Sequence, residues 1–176
     1  MNAALSILAK SIRWQNLLIV LIGLCISHFL LVQPIQMALG RETSLDQSGF
    51  ILLVMSVVFI MAGGNVINDY FDVETDAQND RFNLVAVIGK RKTLLIYGLL
   101  SLSGLAYGFY LCLRMDALQL WSVHILAFLL LLLYSNRLKS LPLVGNLLIA
   151  LLCGVVPILP VLFENKSAEG VFHPSF

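Results

Sequence analysis

The sequence predicts an all-α integral membrane protein with about five transmembrane helices. Three observations carry that prediction. Of 176 residues, 59% are hydrophobic and 12% charged, about half the charged share of a soluble domain. Mean hydropathy is +0.91. Five apolar segments (14–32, 50–67, 93–113, 118–134 and 141–163) contain no Asp, Glu, Lys or Arg. Each is near the ~17–25 residues a helix needs to cross the hydrocarbon core. The runs are continuous and do not alternate, which selects helices over barrel strands. A net charge of +1 gives no basic surplus for nucleic acid, so membrane lipid is the expected surrounding.

Residues 1–15 read as a short amphipathic lead-in, with Arg13 and Asn16 at the mouth of the first span. That span is too long and too rich in Leu and Ile for a signal peptide, and Pro34 is expected to stop it. His28 within it, and His124 in the fourth span, read as packing histidines. Residues 33–49 form a polar loop. The second span ends Gly63-Gly64-Asn65-Val66-Ile67-Asn68, where the glycines permit close helix packing. The most charged loop, 77–92, carries Arg81 and Lys90-Arg91-Lys92. The third and fourth spans form a tight hairpin through Arg114-Met115-Asp116. Tyr134-Ser-Asn-Arg-Leu-Lys139 leads into Pro142 and the fifth span, which Pro157 and Pro160 are expected to kink. Cys25, Cys112 and Cys153 all fall in apolar segments and read as small buried hydrophobes. A membrane domain over 1–163 and a short polar tail over 164–176 complete the expected organisation.

Lysine and arginine set the orientation. One set of loops holds Lys10, Arg13, Arg81, Lys90, Arg91, Lys92, Arg137 and Lys139; the other holds Arg41, Arg114 and Lys166. The N-terminus and the loop after the second span are therefore expected in the cytoplasm, in a multi-pass protein of the cell (inner) membrane.

The chemistry concentrates in Asn68-Asp-Tyr-Phe-Asp-Val-Glu-Thr-Asp76, which holds four of the ten acidic residues. Asn68, Asp72 and Asp76 are spaced four apart, which on a helix stacks them on one face, with Asp69 beside it. A row of carboxylates at a helix end repels itself. Mg²⁺ relieves that repulsion with oxygen ligands and shares substrate phosphates. The cations of the following loop suit a polyanionic substrate. The residues therefore point to a Mg²⁺-diphosphate site at a membrane surface. An EF-hand starting at Asp72 fails, because its sixth position is Ala77 and its twelfth Asn83. The upstream half of a CDP-alcohol phosphotransferase signature is absent as well.

Asn68-Asp69-x-x-Asp72-x-x-x-Asp76 at the end of the second span resembles the first aspartate-rich motif of the UbiA-type intramembrane prenyltransferases. Arg13-x-x-Asn16, Asn79-Asp-Arg81 with Gly89-Lys90, and Tyr134-Ser135…Lys139…Pro142…Gly145-Asn146 look like further stretches of that family. The resemblance implies a nine-helix bundle, of which this chain corresponds to the first half. It implies transfer of a prenyl group from a prenyl diphosphate to a lipophilic acceptor. An aromatic quinone precursor and a glycerol-phosphate lipid both stay open as acceptor, with the loops leaning to the lipid. By the same resemblance Asn68, Asp72 and Asp76 would hold Mg²⁺ and Asp69 would support them. Arg81 and Lys139 would contact phosphate, with Tyr134, Arg13 and Asn16 also on the substrate. The family needs a second aspartate-rich motif, and this chain has no Asp after Asp116. The chain by itself is therefore expected to be inactive or impaired. The alternative is a non-catalytic membrane protein that binds isoprenoid diphosphate or completes a bundle with a partner chain supplying the missing motif.

Overall fold

The computed structural model describes residues 3–141 and 143–164; Pro142, Lys166 and the expected tail beyond residue 164 lie outside the described residues. Among the described residues the chain is helical apart from short turns and has no strand, as the continuous apolar runs require. A short amphipathic helix, α1 (Ala3–Ser11), precedes five spans. These are α2 (Trp14–Ala38), α3 (Gln47–Phe71), α6 (Lys90–Arg114), α7 (Leu118–Asn136) and α8 (Val144–Glu164). Between α3 and α6 lie two short helices, α4 (Val73–Gln78) and α5 (Leu84–Ile88). Successive spans run in alternate directions, so the loop cations fall at two ends. Arg13, Arg81, Lys90, Arg137 and Lys139 share the end where α3 finishes.

The helix pair α3–α6 packs most extensively, and small residues are the reason. A Cβ on Gly104 would lie 2.8 Å from the Ile60 backbone nitrogen and 3.0 Å from Ser56 O. A Cβ on Gly63 would meet Ser101 Oγ at 2.5 Å. Without such close approach, helices in lipid have little to hold them together, since lipid tails are as apolar as leucine. Ser56 Oγ donates to Gly104 O at 2.8 Å and adds a polar tie between the pair.

The apolar core occupies the half of the bundle away from the aspartates. Leu24, Phe50, Leu53, Leu111, Cys112, Leu159 and Phe163 form its centre. Leu30, Leu99, Leu102 and Leu147 are at least two-thirds exposed, as lipid-facing positions should be. The core end is closed by charge: Arg114 pairs with Asp46 at 2.7 Å. Glu164 accepts from the backbone N–H groups of Ser44 and Leu45, both at 2.9 Å.

Four expectations need correction. Pro34 does not stop the first helix, which continues to Ala38. A π-helical stretch, Ile26–Val32, precedes it, with the Gln33 N–H reaching His28 O. The wider turn shifts the hydrogen-bond register, so that the missing proline N–H and its ring are accommodated. Glu164 does not begin a polar tail; it ends α8 and is buried. Cys153 is exposed on α8, whereas Cys112 is buried and Cys25 half-buried. Residues 77–92 are not an open loop, because α5 docks there with Leu84 and Val85 buried. The other expectations about packing fit the structure. His28 and His124 are both buried, His28 stacked on Phe50 at 4.4 Å. A 3₁₀ segment at Val156–Ile158 interrupts α8 at Pro157.

Candidate functional site

The acidic stretch forms where α3 runs out. Asp72 leaves helical geometry, at φ −97° and ψ 8°, and separates α3 from α4. The expected single face of Asn68, Asp72 and Asp76 is therefore broken at its middle member. The hydrogen-bond ladder still crosses the break: Asp72 N–H donates to Asn68 O at 3.0 Å, and Asp76 N–H to Asp72 O at 2.8 Å. The row is thus split between the end of α3 and the start of α4.

Each carboxylate of the row then has its own partner. Asp72 Oδ2 accepts from the Asn68 side-chain amide at 2.7 Å. Asp72 Oδ1 accepts from the Lys139 ammonium at 2.5 Å, and the same ammonium lies 3.3 Å from Asn68 Oδ1. Both side chains of the Lys139–Asp72 pair are largely shielded, at 21% and 18% exposure. Their attraction is therefore less screened by solvent than that of a surface pair. Asp69 turns inward. It is 4% exposed, and its Oδ2 accepts from Ser11 Oγ of α1 at 3.0 Å and from the Leu84 N–H of α5 at 3.2 Å. Asp76 Oδ2 accepts from Asn83 Nδ2 at 2.8 Å.

Lys139 arrives on a 3₁₀ turn, Leu138–Ser140, one step beyond α7. Tyr134 lies one turn earlier on α7 and is half-buried. Arg81 is exposed, with its backbone N–H donating to Asp76 O at 2.9 Å. Arg13 and Asn16 are exposed at the start of α2, and Arg13 adopts a left-handed conformation at φ 53° that turns the chain between α1 and α2. The structure thus brings Asn68, Asp72 and Lys139 into direct contact. It ties Asp76 to the same loop through Asn83, and shows no side-chain bond from Arg81, Arg13 or Asn16 to them.

Two residues of this end escape the sequence reading. Asn83 is buried, donates to both Asp69 O and Asp76 Oδ2 at 2.8 Å, and accepts from the Val85 N–H at 2.9 Å as the N-cap of α5. The signal for it is an asparagine directly before the apolar run Leu84–Ile88, the ordinary mark of a helix start. Ser11 has no such signal, because its role depends on how α1 folds back. Asn65 bonds Ile12 O at 2.7 Å and fixes that fold-back.

The donor set fits a hard cation in kind. Asn68 Oδ1 and Asp72 Oδ1 are oxygen ligands of the type Mg²⁺ takes, and an ammonium already sits on both. No group of three His, Cys, Asp or Glu side chains gathers around one point among the described residues. Asn68 and Asp72 are in direct contact, while Asp76 is held by Asn83.

The model of the UbiA prenyltransferase family matches residues 29–170. The chain belongs to that family. The matched stretch holds the whole cluster from Asn68 to Lys139, whereas Arg13 and Asn16 precede it. A digeranylgeranylglyceryl phosphate synthase of Thermococcus sibiricus is 39% identical over 132 residues, covering 73% of this chain and 44% of the relative. The protein of that name from Methanothrix thermoacetophila is 37% identical over 124 residues, covering 69% of this chain and 45% of the relative. The chain thus spans less than half the length of the curated relatives it matches. No solved structure matches it.

Proposed function

We propose that this chain forms the donor-binding half of a prenyltransferase that acts on a glycerol-phosphate lipid at the cytoplasmic face of the cell (inner) membrane. The observation that carries the reading is the meeting of Asn68, Asp72 and Lys139 at one end of the helical bundle, polar groups converging from the end of α3 and the turn after α7. The acceptor follows from the relatives, whose shared name describes a glyceryl phosphate bearing two geranylgeranyl groups. The donor is then geranylgeranyl diphosphate and the acceptor a lipid with one such group. The cytoplasmic assignment rests on the lysine and arginine excess at this end.

In this reading Asn68, Asp72 and Asp76 hold Mg²⁺, and Asp69 supports them by fixing α1 and α5 against α3. The bound ion supplies charge neutralisation on the leaving diphosphate. Lys139 and Arg81 hold the remaining phosphate oxygens, and Tyr134, Arg13 and Asn16 line the same end. The allylic C–O bond breaks with its electron pair leaving on the diphosphate. The acceptor hydroxyl oxygen bonds to the allylic carbon and passes its proton to the released diphosphate. Apolar helix walls house the prenyl tail and keep water from the carbon.

Membranes containing this chain alone are the test, with labelled donor and Mg²⁺. We expect Mg²⁺-dependent donor binding, lost in Asp72→Ala, with little or no transfer. Robust transfer abolished by Asp72→Ala would refute the half-site reading and leave the prenyltransferase reading standing. Absence of donor binding would remove both. A second reading, a binding protein that works with a partner chain, is favoured by the Lys139 ammonium already occupying the Asn68 and Asp72 oxygens. The mass of the native polypeptide in source membranes separates the two. A product near 19.5 kDa directs the search to a separate partner, and one about twice as large supports a single longer enzyme.

A further inference from the structure

The cation seated on the aspartate motif comes from the chain itself. Lys139 Nζ lies 2.5 Å from Asp72 Oδ1 and 3.3 Å from Asn68 Oδ1. These are the first two oxygens a metal would take in the site as read above. Asp72 Oδ2 is already engaged by the Asn68 amide at 2.7 Å. Mg²⁺ needs its ligand oxygens at about 2.0–2.1 Å. Closing to that distance on Asp72 Oδ1 and Asn68 Oδ1 is opposed by an ammonium, also positively charged, that stays within hydrogen-bond range of both. Two cations crowded onto this oxygen pair repel one another, so lysine and metal compete for it.

The seat of the lysine is built into the backbone. The turn Leu138–Ser140 is closed by Ser140 Oγ donating to Arg137 O at 2.8 Å. Gly145 at the start of α8 packs directly against it. A Cβ there would lie 2.9 Å from Leu138 O, 3.1 Å from Lys139 Cα and 3.3 Å from Tyr134 Cε2. Two of those three neighbours are backbone atoms, which give way less readily than a flexible side-chain end. The glycine is what lets the turn sit close enough for Lys139 to reach Asp72.

We propose that Lys139 is a tethered counter-cation. It neutralises the Asn68–Asp72 oxygens in the metal-free protein, and a divalent ion must displace it, which frees the ammonium for an incoming diphosphate. The proposal rests on the metal reading of the site. It makes a prediction of opposite signs: without the ammonium, the metal alone binds more tightly and a diphosphate binds more weakly. A lysine that only contacts phosphate produces the second effect without the first.

The test titrates Mg²⁺ alone into the purified full chain in detergent by calorimetry, with Mn²⁺ and its electron paramagnetic resonance signal as a parallel probe. Lys139→Met is expected to tighten metal binding about five- to tenfold, the scale of one lost charge-assisted contact. Gly145→Ala keeps the charge but displaces the turn, and should shift affinity in the same direction by less. Lys139→Arg keeps charge and place, and should stay near wild type. Arg137→Met removes an exposed charge two residues away, and should change affinity by less than about twofold because solvent screens it. Thermal unfolding of each variant confirms folding, and Gly145→Ala supplies the answer if Lys139→Met fails to fold. Unchanged or weaker metal binding in Lys139→Met overturns displacement. So does an equal gain in Arg137→Met, which would mark a general field effect. If Asp72→Asn abolishes metal binding while Lys139→Met leaves it unchanged, only the displacement falls. If no form binds metal, the metal reading falls with it.

Discussion

Replacing Asn83 with alanine removes three hydrogen bonds at a residue only 5% exposed. Its amide no longer donates to Asp69 O and Asp76 Oδ2, and the Val85 N–H loses its cap acceptor. A lost N-cap costs about 1 kcal/mol. The buried donor contact to Asp69 O adds about 1 kcal/mol. Asp76 is half-buried and regains water, so its share is small. The sum is about 2 kcal/mol, concentrated on α5. Reversible unfolding in mixed micelles measures the total, and amide hydrogen exchange over Leu84–Ile88 shows where it falls. We expect faster exchange at Val85 with unchanged protection in the α3–α6 interface. Asn83→Asp separates the contributions, because it keeps the cap acceptor but presents an anion to Asp69 O and the Asp76 carboxylate. It should be at least as damaging as alanine if the donors dominate, and near wild type if the cap does. Val85 protection equal to wild type, with a loss below about 0.5 kcal/mol, would refute the account, since a buried residue with three bonds cannot be removed so cheaply.

Four further outcomes follow from the structure. Gly104→Ala forces α6 away from the Ile60 backbone and should cost about 1–3 kcal/mol. Gly98→Ala, with open space around its Cβ position, should be neutral or stabilise by up to about 1 kcal/mol; paired unfolding curves in detergent check both. Glu164→Ala strands the Ser44 and Leu45 N–H groups and should lower stability by about 2–3 kcal/mol, with Glu164→Gln losing less because one acceptor remains. Asp46 has its carboxyl held below the ordinary value of 3.8, first by the Gly49 N–H and then by the Ser48 hydroxyl. Its folded value is depressed, so its contribution is complete above that ordinary value and is lost as pH falls through the lower one. Asp46→Asn should therefore lower stability modestly at neutral pH and flatten the acid limb below about pH 4, where variant and wild type converge.

Architecture was largely readable from the residues because hydrocarbon thickness imposes a length and forbids charge inside it. That rule located the five spans to within a few residues at most ends. It failed at Pro34, where a π-helical register absorbs the proline, and nothing local in Ile26–Val32 announces that register. It also failed at Glu164, because a charge after an apolar run looks like an exit from the membrane. The two N–H groups that hold Glu164 are 119 and 120 residues away, beyond the reach of any pattern. The contact of Asn68 with Asp72 was legible from their spacing of four, which puts the two side chains one turn apart. The internal division of the acidic motif was not. Helical periodicity treats Asp72 as a member of one face, whereas the chain breaks helical geometry there.

That division explains how four acidic residues can stand together at a membrane surface. A carboxylate shielded from water must be matched by donors or by opposite charge. Asp69 is matched by Ser11 and Leu84, groups of the fold itself, so it is committed to holding α1 and α5 in place. Asp76 is matched by Asn83, whose amide also secures α5. Glu74 is exposed and left to solvent. Asp72 alone is matched by a charged side chain on a long flexible stem, and such a partner can leave without unfolding anything. An exchange of cations at this motif therefore has one inexpensive place to begin, the Lys139–Asp72 pair.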